Sequence, residues 1–130
     1  MFVTLLTAAL VLAADPPQKL QAAPLPEPPT GAPVAMPDIG ALDPDTLCFV
    51  AATFLAGDQR TAGKDAAAAD MEATYFIGAS VRKFDDASLT KALDAAMTWV
   101  TGKQLDALHA ACHDRYARDV QRLRNAVPNR

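Results

Sequence analysis

The stretch "LDPDTLCFVAATFLAGD", residues 42–58, decides the fold. Asp43 is a helix-capping residue type, and Pro44 follows at the first helical position, where its missing N–H is not needed. Asp45 places negative charge in the first turn. Leu47, Cys48, Ala51, Phe54 and Leu55 then recur at helical spacing, and Gly57 is the expected stop. A cysteine therefore rides on the apolar stripe of a helix.

The chain beyond repeats this pattern. A second helix is predicted over 61–82, containing "KDAAAADMEATYFIGASVR", with Met71, Tyr75, Gly78 and Ile77 or Val81 facing inward. Its alanines favour helix, and Gly78 in the interior suggests a tight contact with a neighbouring helix. The third, "FDDASLTKALDAAMTWVTG", starts with a cap at Asp85 or Asp86. It carries one stripe of Leu89, Ala92, Leu93, Ala96 and Val100, and Gly102 ends it. The fourth spans 103–126, with Leu105, Leu108, Cys112, Tyr116, Val120, Leu123 and Val127 spaced by three or four. No segment alternates like a strand, and the turns are short. The fold class that follows is all-α: a small four-helix up-and-down bundle over residues 43–128.

Cys48 and Cys112, the two cysteines of the chain, both sit on core-facing stripes. They are expected to form one disulfide, closing a loop long enough to be worth ~4 kcal/mol in the chain-entropy model. A covalent staple suits a domain of this small size, and it points to an oxidising compartment. The chain opening agrees. "MFVTLLTAALVLAA", residues 1–14, is an uncharged apolar run of signal-peptide length with small residues for cleavage after Ala13 or Ala14, although no Lys or Arg precedes it. The expected location is periplasmic or secreted, with membrane contact only through an uncleaved leader.

Between leader and bundle, residues 15–42 read as a disordered Pro-rich linker. Nine of the ten prolines lie within residues 15–44, and proline removes backbone donors and fixes φ. The formal net charge is −3, which supplies no reason to expect nucleic-acid binding.

"LHAACHDRYARD", residues 108–119, is the one stretch that resembles chemistry. His109 and His113 are four apart on one helical face, a spacing that can chelate zinc or copper if a third ligand comes from elsewhere. Cys112-His113 resembles the end of a c-type haem attachment motif, and the cytochrome c′ family is similar in being exported, four-helical and of this size. By that resemblance Cys112 would be the attachment thiol and His113 the iron ligand. His109, however, stands where the first cysteine of the motif belongs. The preferred reading separates the residues: Cys112 belongs to the disulfide, and both histidines border the core without cofactor or metal. Nucleophilic catalysis by Cys112 needs a free, exposed thiol and is disfavoured.

The remaining polar groups point the same way. Asp65, Asp70, Glu72, Asp85 and Asp86 are read as caps and solvated faces. Arg115, Arg118 and Arg122 share a face, and with Arg124 and Arg130 they make the chain end basic. They are assigned to the helix dipole and to solubility ahead of an acidic or lipid partner. Trp99 and Tyr75-Phe76 are read as core. No G-x-G-x-x-G, G-x-S-x-G, P-loop or H-E-x-x-H motif occurs.

The leader with Cys48, Tyr75, Phe76, Gly78 and Cys112 resembles small two-cysteine helical proteins exported by alphaproteobacteria, a likeness that brings no activity. In size, helicity and single disulfide the chain is more loosely similar to acid-stress chaperones of the HdeA type. The sequence therefore leads to a non-enzymatic exported protein that contacts another periplasmic protein. An acid- or stress-responsive holdase, and a haem or metal protein using His109, Cys112 and His113, are the alternatives.

Overall fold

The computed structural model describes residues 25–101 and 103–127. The signal peptide assigned to 1–14, the first part of the linker, Gly102 as a helix stop, and Arg130 lie outside the described residues. Four helices follow in order: α1 (Pro44–Thr61), α2 (Ala67–Val81), α3 (Asp86–Thr101) and α4 (Leu105–Ala126). No strand occurs among the described residues.

The start of α1 is built as its sequence requires. Asp43 stays extended and its side chain accepts the Thr46 N–H at 2.9 Å, with Pro44 at the first position. The end differs from expectation. α1 passes through Gly57 and stops at Gly63, whose φ of 70° supplies the left-handed residue after the helix. The Lys64 N–H donates to the Gln59 carbonyl and the Gly63 N–H to the Arg60 carbonyl, a Schellman closure of the last carbonyls. A glycine is tolerated inside a helix at modest cost, but only a left-handed residue ends one this way.

Asp65 accepts the Ala67 N–H at 2.9 Å, so α2 starts later than predicted. Its inward face is also rotated from the predicted one. Ala69, Glu72, Ala73, Phe76 and Ser80 are buried, whereas Met71 and Val81 are exposed and Tyr75 is half-buried. Gly78 has no atom within 4 Å of where a Cβ would sit, so no close helix contact explains it. The buried hydroxyl of Ser80 donates to the Phe76 carbonyl at 3.0 Å and accepts from the Thr46 hydroxyl of α1 at 3.2 Å. In α3, Asp85 caps by accepting the Ser88 N–H at 2.7 Å, and Ala96 and Val100 reach the core.

Cross-helix contacts give the directions. Asp45 meets Lys83 just past α2 while Arg60 meets Asp70, so α1 and α2 are antiparallel. Asp45 meets Arg115 and Cys48 meets Cys112, so α1 and α4 are antiparallel as well. α2 and α4 therefore run the same way. α1 is the hub: Leu47, Cys48, Val50 and Ala51 form the centre of one core with Phe76, Ala96, Val100, Leu108, Cys112 and Tyr116. The Cys48–Cys112 disulfide joins α1 to α4 at the middle of this core, with a Cα–Cα distance of 5.4 Å.

Two further expectations need correction. Leu123 and Val127 continue the apolar spacing of α4 but are exposed, because the helix outruns the bundle. The second half of the Pro-rich segment has no helix or strand, as its prolines require, yet it is not a detached linker. Met36, Ile39 and Leu42 pack on the core, the Val34 N–H donates to Asp114 at 3.2 Å, and Arg118 donates to the Gly31 carbonyl at 3.1 Å. Apolar residues set between prolines dock without needing a hydrogen-bonded ladder.

Candidate functional site

α4 carries the candidate residues, and two buried carboxylates from other helices meet them. Glu72 on α2 is the first. Its side chain is 3% exposed, and its Oε2 lies 3.1 Å from His113 Nδ1. Its Oε1 lies 3.9 Å from His109 Nε2, too far for a hydrogen bond, and both of those atoms are buried without a hydrogen-bond partner among the described residues. The two imidazoles stack with centroids 6.2 Å apart. Burial is the largest influence on His109 and lowers its pKa; the charge of Glu72 pulls the other way.

Asp45 on α1 is the second, one helical turn from the disulfide. Lys83 Nζ contacts its Oδ2, and Arg115 Nη2 approaches its Oδ1 to 2.6 Å, off the hydrogen-bonding direction, so that pairing acts through charge. Lys83 also holds Asp43 at 3.0 Å. The hydrogen bond to Asp45 is the main reason the Lys83 pKa is raised. At Asp43, burial raises the pKa, but the Thr46 amide and Lys83 outweigh it and hold the carboxyl below its ordinary value. The Arg115 guanidinium lies over the Phe76 ring at 5.7 Å.

Beside Glu72 an aromatic cluster fills the α2–α4 contact. Tyr75 lies 5.1 Å from Phe76 and 5.3 Å from Tyr116, centroid to centroid. The Tyr75 hydroxyl donates to Asp119 at 2.5 Å, and burial with that bond pushes its pKa up to about 12. Phe76 is core as expected, while Tyr75 and Trp99 are half-buried.

The arrangement reassigns several predicted residues. Cys112 is bonded to Cys48, so it has no thiol for haem attachment or nucleophilic attack. His109 and His113 do border the core, with side chains 24% and 53% exposed, but they share one buried carboxylate rather than standing alone. Among the described residues, no three His, Cys, Asp or Glu side chains stand as an assembled metal site. Arg115, Arg118 and Arg122 pair within the chain, with Asp45, Asp114 and Asp119 respectively. Glu72, read from sequence as solvated, is the residue that sequence reasoning missed. The signal available for it was its position one turn before Phe76.

The surface offers a nearly all-apolar groove of about 450 Å³ between α1 and α3. Phe49, Val50, Phe54, Leu93 and Met97 line it, with Thr53 and Asp58 as its polar groups. No helix among the described residues is long and apolar enough to cross a membrane. No protein-family profile, curated protein or solved structure matches the chain.

Proposed function

We propose that this chain is a non-enzymatic exported protein that acts by protein–protein contact in an oxidising compartment, the periplasm or beyond. The α1–α3 groove is the observation that carries this reading. Its lining is apolar, it opens to solvent, and Met97 at its edge is 46% exposed. Contiguous exposed apolar surface rimmed by polar groups is characteristic of interaction sites. The disulfide supports the compartment, since such bonds persist where thiols are not kept reduced. The partner that suits the groove is a protein presenting an apolar helix face or segment.

A photo-crosslinking residue at position 97, in protein expressed with its leader, tests the reading. The expected result is a discrete protein adduct that disappears when Phe54→Glu charges the groove. The same probe at Lys91, an exposed α3 position outside the groove lining, is expected to give none. Equal adducts from both positions, or none from position 97, overturn the reading.

A second reading, an acid-responsive holdase, is favoured by Asp45 and Glu72, buried carboxylates whose pairs tie α1 and α2 to α4. Acid neutralises such pairs and loosens a marginal core. The chain is then expected to suppress aggregation of a client at about pH 3. A chain that stays monomeric there and protects no client contradicts this reading.

A further inference from the structure

The chain has two histidines, and both face Glu72. With both cysteines in the disulfide, no other side-chain type in the chain ordinarily changes charge between about pH 5 and pH 8. We propose that Glu72, His109 and His113 form a proton-operated latch between α2 and α4, which acid opens by expelling the His109 ring from the interface. This goes beyond both functional readings, because it concerns how the fold responds and not what it binds.

The geometry makes the two imidazoles unequal. His113 is half exposed and already engages Glu72 Oε2 at 3.1 Å, so a proton on its ring turns that contact into a charge-assisted hydrogen bond in place. His109 is more deeply set, and its Nε2 has no hydrogen-bond partner among the described residues. A proton there creates a largely buried cation 3.9 Å from the nearer carboxylate oxygen, stacked on a second imidazole and lacking a direct acceptor.

The surrounding charges give the direction. Burial, the largest influence, lowers the His109 pKa; Glu72 and Asp106 raise it and His113 lowers it, and among the described residues no charged group of α1 or α3 adds to these. Around the other members, Asp114 beside His113 is engaged by Arg118, and Tyr116, which feels the Glu72 charge, has its own pKa raised by burial. Because the folded pKa of His109 lies below the ordinary 6.5, the unfolded chain binds more protons in this range. The latch's contribution is therefore full above 6.5 and is lost as the pH falls through the lowered value. Cys112 and Arg115 still hold α4 to α1, so the opening is local, and the adjoining cluster of Tyr75, Phe76 and Tyr116 is what it uncovers.

Proton NMR of the two histidine rings and amide hydrogen exchange, both on the oxidised chain, test the latch. The His109 ring is expected to titrate below 6.5. Protection of residues 105–111 relative to α1, corrected for intrinsic rates, is expected to fall on the order of tenfold from about pH 7 to about pH 5. His109→Gln is expected to abolish that fall. His113→Gln, at the more exposed ring, is expected to raise the His109 midpoint by removing a like charge. An unchanged fall in H109Q, a His109 ring that titrates at or above 6.5, or an unmoved midpoint in H113Q overturns the proposal.

Discussion

Asp45 and Glu72 are both almost fully buried carboxylates, and both tie another helix to α4, but their counter-charges differ in kind. Asp45 sits between Lys83 and Arg115, cations that keep their charge throughout the physiological range. Among the described residues, the ion-pair partners of Glu72 are imidazoles alone, whose charge depends on the pH of the surroundings. The first is a permanent clamp at the open ends of α1 and α2; the second is a conditional contact between α2 and α4. Cys112 lies between His109 and His113 on α4 and one turn before Arg115, so the covalent bond fixes α4 to α1 beside both contacts.

Removing that bond has the largest expected effect. The disulfide closes a sequence separation of 64 residues, and the double variant Cys48→Ala/Cys112→Ala is expected to lose ~4 kcal/mol in denaturant unfolding. A loss below ~1 kcal/mol means that the helix packing alone holds the two regions together. Breaking the clamp comes next. Asp45→Asn leaves two cations facing a neutral amide, but Lys83 and Arg115 are 42% and 39% exposed and can turn to solvent. The expected cost is therefore about 2–3 kcal/mol, below that of a wholly buried pair, and a urea midpoint measurement checks it.

Glu72→Gln at about pH 7 is expected to cost only ~1 kcal/mol, since a neutral hydrogen bond to His113 survives. Asp43 adds a separate acid-dependent share. Its folded pKa is depressed, so its contribution is present above 3.8 and is lost as the pH falls through the lowered value. Asp43→Asn, which retains a capping oxygen, is therefore expected to flatten the stability profile below 3.8 and leave the range of the histidines unchanged. The smallest effect has the opposite sign. Gly78→Ala is expected to stabilise by up to ~1 kcal/mol, because a Cβ there meets nothing within 4 Å. A loss in its thermal melt contradicts that open environment.

The permanent region was also the more legible in the sequence. Asp43 and Pro44 announce the start of α1, and both cysteines fall on stripes whose spacing brings them into one core. The conditional region was hidden by α2, which has small or apolar residues on every side. In such a helix the large residues Met71 and Val81 draw the eye, while the packed face belongs to Phe76 together with Ala69, Ala73 and Ser80, the last three small enough to let α1 approach. Glu72 lies on that face, although as a carboxylate between Met71 and Ala73 it reads as solvated. Burial of a charge has no local signature; it depends on which residues a distant helix brings opposite, here His109 and His113. Leu123 and Val127 failed for a related reason, since periodicity does not tell where the partners of a long helix end.

Paired melts of Asp45→Asn and Glu72→Gln against the parent chain, each at about pH 7 and about pH 5, test the contrast most directly. The cost of Asp45→Asn is expected to be the same at both. The cost of Glu72→Gln is expected to grow at the lower pH, where a proton on His113 turns its contact with the carboxylate into a charge-assisted hydrogen bond that a neutral amide does not match. A Glu72→Gln penalty that does not change with pH contradicts the account.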